Sequence, residues 1–577
     1  MAADCKRAKK SPSYRIDAHT IAPIHPLGVK PSGNIYLHND LKELDASRKR
    51  QLGTLRALSE EVLARVLSFV DSPNDLLNLG HASRVLYAYT YNEELWRKMY
   101  VDEFIRLETK GNIAFNSDGY HPYGCKDWKG SWRKTLLKLD EEALIQVNNL
   151  VFSDFLYRPY QCSKIDYEHL FKKVIAFEEK SSALGHTLNS EFGVERIKEA
   201  NLTLEMFENS HCDKPFILCA NGDEKRWPPW DLEYLVSRFG NIKFRQEAVE
   251  WKLSYYANYS RNNYDESPLY LFDCNSEAIQ TLKREYMAPK IFAHDFFKAF
   301  EGEGINCRPD HRWLIVGKAG SGSTFHKDPN QTSAWNAGLT GKKLWVMLPP
   351  EVKPPGVSTD KDEEEVTSPV GVGEWILSGY YNDAVRLAQE GKCQITVTFP
   401  GECIYVPSGW WHTVINLTDS VALTENFVPT PILPKVLLFF KNKKKQISGF
   451  HLQDTMNAMK RFLSSHSIKS DSSSDLTVIE SFLEQCRNHS LDNQDCGLVD
   501  LDLEPPIFEF FVELVKGSTY GGHIERAITD MRQLEIDAAR REARANPPAT
   551  KTSEAWTNLA AESGSNFSFG FSFEETV

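Results

Sequence analysis

His326 and Asp328 stand two residues apart, and His412 follows much later in the chain. Side chains alternate across an extended segment, so on one strand His326 and Asp328 project to the same side. Two imidazoles and one carboxylate brought to a point form the donor set of a non-heme Fe(II) centre. Such a centre keeps coordination positions open for a cosubstrate and O2. Alone the pair says little in a chain with 16 His and 79 acidic residues, where His326 is also compatible with a core histidine and Asp328 with a turn carboxylate. Its meaning depends on the elements that would carry His412 to it.

Those elements read as short strands. Residues 311–318, 342–348, 394–399, 402–406, 412–417 and 420–428 are β-rich runs, with Pro349-Pro350, Pro400-Gly401 and Pro407-Ser408-Gly409 at three of the joins. Short runs punctuated by turn residues predict an all-β sandwich or barrel, which can bring distant strands side by side.

Several segments then resemble one family in order and spacing: His326-Lys327-Asp328, Thr332-Ser333-Ala334-Trp335-Asn336-Ala337, Lys342-Lys343-Leu344-Trp345, Pro407-Ser408-Gly409-Trp410-Trp411-His412 and Leu423-Thr424-Glu425-Asn426-Phe427. They are similar to the core motifs of JmjC-domain 2-oxoglutarate oxygenases, and most of all to the phosphatidylserine-receptor-like branch. Phe155-Leu156-Tyr157-Arg158-Pro159-Tyr160 and Ser267-Pro268-Leu269-Tyr270-Leu271-Phe272-Asp273 extend the likeness upstream, so that it covers roughly residues 150–430. The resemblance implies an α+β chain built on a double-stranded β-helix, the cupin-type jelly roll, with flanking helices.

Carried over, it implies that His326, Asp328 and His412 ligate Fe(II) and that Lys343 pairs with the far carboxylate of 2-oxoglutarate. A dicarboxylate held inside a barrel does need a cation there, because an unpaired buried charge is costly; by its own position Lys343 reads equally as a solvated strand lysine. Ser323, Asn336, Thr424 and Asn426 match or neighbour the polar lining of the same pocket. Ser323 departs from the threonine of the nearest relatives but keeps the hydroxyl. The implied reaction spends 2-oxoglutarate and O2, releases succinate and hydroxylates a C–H bond; on an N-methyl group, the product collapses to formaldehyde and a demethylated amine. Hydroxylation and demethylation share one site and stay undivided here. Trp410 and Trp411 read as packing residues that position His412.

The segment before the barrel has its own pattern. Leu58, Val62, Leu63, Val66, Leu67 and Val70 recur at helical spacing. Asp71 or Ser72 then caps a second apolar helix carrying Leu76, Leu77, Leu79 and Val85, and Leu95-Trp96 closes the unit. With Ser83-Arg84 this resembles an F-box, a small all-α module, although a generic three-helix unit has the same periodicity. Ser59 stands where the F-box pattern commonly has proline, and serine can cap a helix there instead. The resemblance implies docking to the Skp-type adaptor of a cullin ubiquitin ligase. An adaptor whose barrel merely binds a substrate is therefore the competing function, and the metal and cosubstrate residues favour the enzyme.

Over 577 residues, this organisation reads as an extension with disordered parts at 1–53, the F-box at 54–101, a helical and mixed region at 102–290, and the JmjC core at 291–430. A helical region at 431–545 and a disordered tail at 546–577 complete it. Helical patterns run over 432–464, 476–487 and 506–545, with a serine-rich linker at 465–475. Residues 351–392 interrupt the barrel strands with an acidic run, Asp360-Lys361-Asp362-Glu363-Glu364-Glu365, read as a loop. An acidic loop of this kind could also meet a basic peptide such as a histone tail.

A net charge of −12 argues against a protein that coats nucleic acid. The 11 cysteines include no C-x-x-C and fit reduced thiols of the nucleus or cytoplasm. No apolar run reaches the roughly 18 residues that span a bilayer. Basic runs at 6–10, 48–50 and 441–445 are compatible with nuclear import. The partner expected is a protein substrate.

Overall fold

Among the described residues, the computed structural model holds fifteen strands and their helices. It describes residues 19–21, 46, 49–109, 128–140, 165–185, 193–466, 474–488 and 504–545, apart from 221–224, 248, 262, 264, 266, 303, 360–362, 364–365, 368–370 and 378. The motif at 155–160, the basic run at 6–10, the tail after 546, most of the serine-rich linker and all of the acidic run but Glu363 lie outside the described residues.

The strands are β1 Glu195–Lys198, β2 Phe216–Cys219, β3 Lys243–Gln246, β4 Val249–Lys252, β5 Leu271–Asp273, β6 Arg312–Gly317, β7 Gly322–His326 and β8 Ser333–Thr340. They continue as β9 Lys343–Leu348, β10 Ser358–Thr359, β11 Val366–Thr367, β12 Gln394–Thr398, β13 Cys403–Val406, β14 Trp411–Asn416 and β15 Ser420–Phe427. Eight of them form two antiparallel sheets, ordered β13-β8-β15-β6 and β12-β9-β14-β7. This is the double-stranded β-helix. The first sheet grows to nine strands, with β2 and β1 on one edge and β5, β3 and β4 on the other.

Period-2 alternation sorts the residues of these strands. Ala334, Trp345, Met347, Ile404, Val406 and Val414 pack together between the sheets. Their neighbours Leu344, Val346, Trp411 and Ile415 turn outward against Phe171, Val174, Ile175 and Trp375. On the larger sheet Leu314, Trp335, Tyr405, Leu423 and Phe427 join the main core.

The N-terminal helices are α1 Glu60–Leu67, α2 Pro73–Gly80, α3 Arg84–Thr90 and α4 Glu93–Thr109. Ser59, Ser72 and Ser83 cap the first three, accepting from the amides of Val62, Asp75 and Leu86 at 3.3, 3.3 and 3.2 Å. Serine therefore starts α1 where the pattern commonly has proline. Leu63, Leu67 and Leu76 are buried, whereas Val62, Val66 and Phe69 leave 47%, 44% and 71% of their surface exposed. Helix α5, Trp132–Leu137, fastens this unit to the barrel: Trp132 Nε1 donates to Asp265 Oδ2 at 2.5 Å, and its ring packs on Trp251 of β4.

Four expectations are corrected. Residues 333–340 form a central strand, missed because Ala334, Asn336, Ala337 and Gly338 give it little β character. Asp328 is not on a strand: β7 ends at His326, since Pro329 cannot donate to a ladder. The 351–392 insertion is not all loop: past its acidic run it carries the buried helix α6, Val372–Leu377, and then α7, Tyr380–Gln389. The pattern over 432–464 divides into α8, Leu433–Asn442, and α9, Leu452–His466, around Gly449 at φ 80°.

Candidate metal centre and cosubstrate pocket

β7 and β14 pair with His326 opposite His412. Two residues further along β14, Val414 faces Ser323, three residues back on β7, so β7 carries one extra residue. Such a bulge turns side chains that simple alternation would separate. Thr413 donates its hydroxyl to Ser323 O at 2.7 Å across the irregularity.

Asp328 continues the chain at φ −62° and ψ 146°, the extended form a following proline favours. Its carboxylate thus turns to the same side as His326 without strand pairing. One donor atom from each of His326, Asp328 and His412 lies within 4.8 Å of the others, the single such cluster among the described residues.

Hydrogen bonds fix which imidazole nitrogen is available. His326 Nδ1 lies 2.8 Å from Thr324 O, and His412 Nδ1 lies 3.1 Å from Trp410 O. A carbonyl only accepts, so both Nδ1 atoms carry protons and both Nε2 atoms keep lone pairs. Burial pushes His412 down to about 4, which keeps its ring neutral at ordinary pH. Asp328 Oδ2 is buried without a hydrogen-bond partner among the described residues. An orphaned carboxylate oxygen beside two lone-pair nitrogens is what a divalent cation would satisfy.

The cluster opens into a cavity of about 580 Å³. Every residue expected at the site lines it: Ser323, Asn336, Lys343, Thr424 and Asn426 besides the three candidate ligands. Lys343 starts β9 on the inward face shared with Trp345 and Met347 and is 2% exposed. It is not a solvated lysine. Its Nζ donates to Tyr270 Oη at 3.2 Å, no carboxylate pairs with it among the described residues, and burial lowers it to about 7. A buried cation without a counterion, at one end of a polar-lined cavity, fits the far carboxylate of a dicarboxylic acid.

Thr424 donates to Trp335 O at 2.7 Å, and Asn426 Nδ2 donates to Thr332 Oγ1 at 2.8 Å, so the backbone and neighbouring strands orient both. Trp410 packs between the sheets and Trp411 outside them, where Lys327 lies over its ring at 4.6 Å.

Sequence reasoning does not single out several lining residues, among them Tyr270, Trp313 and Glu247. Tyr270 belongs to the 267–273 segment of the family likeness, which was its only signal. Trp313 lay within a recognised strand as an ordinary apolar residue. Glu247, in the β3–β4 turn, had no signal at all.

Comparison with known proteins agrees with this geometry. Residues 201–431 match the cupin-like domain family and residues 60–102 the F-box-like family. The chain is 34% identical over 445 residues to the arginine-specific demethylase JMJ22 of Arabidopsis thaliana, covering 74% of this chain and 78% of that protein. It is 34% identical over 250 residues to the bifunctional arginine demethylase and lysyl-hydroxylase psr-1 of Caenorhabditis elegans, covering 41% and 61%. Identity to the 2-oxoglutarate and iron-dependent oxygenase JMJD4 of Gallus gallus is 27% over 237 residues, 36% of this chain and 52% of that one.

Proposed function

We propose, from the premise that this chain belongs to the JmjC-type, cupin-like family of iron- and 2-oxoglutarate-dependent oxygenases, that it oxidises side chains of a protein substrate by way of His326, Asp328 and His412. One observation carries the reading: the three donors and the unpaired Lys343 converge on a single cavity. A pure substrate-binding barrel has no need of that combination.

Bound iron and 2-oxoglutarate would supply the oxidation of a C–H bond by O2, with succinate and CO2 as co-products. The chain's own residues do the rest. His326 and His412 present Nε2 because Thr324 O and Trp410 O hold their Nδ1 protons. Asp328 adds an anionic oxygen that is otherwise unsatisfied. Lys343 holds the remote carboxylate, with Tyr270 steadying its ammonium and Asn336 and Thr424 offering polar contacts along the wall. Ile315, Trp345, Val406 and Val414 keep the walls apolar and exclude water. Hydroxylation of a side-chain carbon and removal of an N-methyl group are both within reach of this site. A histone or another basic peptide is the substrate class we favour, in the nucleus, with the basic run at 441–445 as one import signal. In that run Lys441 pairs with Glu535 at 2.8 Å, and Lys444 and Lys445 are exposed.

A second role is compatible with the first. Val62 and Val66 on α1, with Phe69 just past its end, leave apolar surface exposed on the F-box-like unit, which favours docking to the Skp-type adaptor of a cullin ubiquitin ligase. The deciding experiment loads the full chain with Fe(II) anaerobically and follows succinate and peptide mass with arginine- and lysine-containing peptides. A gain of one oxygen or a loss of one CH2 is expected, abolished in His412→Ala and Asp328→Ala. Wild-type protein that takes up iron and 2-oxoglutarate yet changes no peptide across such a library would refute the enzyme reading.

A further inference from the structure

We propose that Glu247 selects a guanidinium-bearing side chain at the mouth of the metal cavity, with Phe272 and Trp313 as the aromatic wall that receives its flat face. The inference rests on the oxygenase reading in one respect, since that reading assigns the other charged residues facing this space. Asp328 goes to the metal and Lys343 to the dicarboxylate. Glu247 is then the carboxylate of the lining that has no task.

Its placement is specific. The residue occupies the β3–β4 turn at φ 48°, a left-handed backbone conformation uncommon outside glycine and asparagine. Tyr270 N donates to its Oε1 at 3.3 Å, which ties it to the tyrosine that steadies Lys343. Arg97 of α4 forms a loose ion pair with Oε2 at 3.7 Å, beyond hydrogen-bond length. No side chain among the described residues donates a hydrogen bond to this carboxylate, so it retains acceptor capacity for a ligand. The Glu247 side chain is 42% exposed, so a ligand entering from solvent can reach it.

The aromatic half of the subsite lines the same cavity. Phe272 stacks on Trp313 with centroids 5.2 Å apart and planes 19° from parallel, and both line the cavity. Trp313 is nearly buried, whereas Phe272 is 42% exposed. A carboxylate and a flat aromatic pair in one cavity match a guanidinium, which offers a planar fork of donors and a face that stacks on rings. Through Arg97 the F-box-like unit touches Glu247, one of the residues that line the cavity.

The test compares an arginine-centred peptide with its citrulline twin, which keeps the planar shape and loses the charge. Binding of each to full-length protein loaded with Mn(II) and 2-oxoglutarate is measured by calorimetry. Wild-type protein should prefer arginine by about tenfold, and Glu247→Gln should bring the two affinities within about twofold. Phe272→Ala should weaken both peptides about equally and leave the preference standing. Should glutamine disturb the turn, Glu247→Asp gives the same reading, because it withdraws the carboxylate by one methylene. A preference that survives in either Glu247 variant, or is absent from the wild type, overturns the assignment. If the preference depends on Glu247 but succinate never forms with any peptide, the oxygenase reading fails and the cation subsite stands. If succinate forms and no preference exists, only the subsite falls.

Discussion

Replacing Lys343 by methionine should make the cosubstrate-free protein more stable while removing its response to 2-oxoglutarate. Burial lowers the Lys343 amine from 10.5 to about 7. A folded-state value below the unfolded one means that folding disfavours the charged form. That penalty is fully present below about pH 7 and disappears as the pH rises towards 10.5. At about 1.4 kcal/mol per pH unit, this fall is worth at most about 5 kcal/mol, and relaxation around the charge reduces it. Methionine fills much of the same volume without the charge. Its variant should therefore melt higher than wild type at pH 6.5, and the advantage should shrink towards pH 10. In wild-type protein, 2-oxoglutarate at a hundred times its dissociation constant should add about 2.7 kcal/mol; in the variant it should add almost nothing. Wild-type affinity should also fall as the pH rises above about 7, where binding the carboxylate has to recapture a proton. Thermal unfolding with and without 2-oxoglutarate, across pH 6–10, reads all three effects. A methionine variant that keeps the wild-type response to 2-oxoglutarate would refute the anchoring role.

Other substitutions separate packing from function. Val66→Asp and Phe69→Asp alter exposed side chains and should change stability by no more than about 0.5 kcal/mol while abolishing co-purification with a Skp-type adaptor. Leu76→Asp, at a fully buried position, should cost over about 3 kcal/mol and unfold the F-box-like unit, as read by denaturant titration. Asn330 holds the turn after Asp328 by exchanging two hydrogen bonds with the Ser448 backbone, at 2.8 and 3.1 Å. Asn330→Ala should cost about 2 kcal/mol and weaken Mn(II) binding measured by calorimetry. At Gly322 an added Cβ would meet Val414 O at 2.0 Å; Gly322→Ala should part β7 from β14 and abolish Mn(II) binding in the same assay.

Much of the barrel was legible because its inner strands are bounded by proline or glycine: Pro349 ends 343–348, Pro407 ends 403–406, and Gly409 precedes 411–416. β8 was not: its Ala, Asn and Gly residues are chosen by the tight middle of the sheet rather than by β propensity. Strands β1 to β4 were missed as well, since each has only four residues and, β2 apart, charged side chains. The buried Lys343 shows the same limit. A lysine beside another lysine at a strand start looks solvated, and only its inward register makes it a pocket residue.

Ser323 shows where alternation fails and why. His326 and Asp328 obey the period of two because Pro329 keeps Asp328 extended beyond the end of β7. Ser323 is three residues before His326, so a regular strand would place them on opposite faces. Both nevertheless line the cavity, because the extra residue in β7 resets the alternation between them. Resemblance alone put Ser323 in the pocket, and strict periodicity would have removed it. The bulge leaves no local signature in Gly322-Ser323-Thr324-Phe325-His326. It shows only against the partner strand, where His412 stands opposite His326 and Val414 opposite Ser323. A metal site built across two strands thus constrains register between them, and register is a property of the pair that neither sequence segment carries by itself.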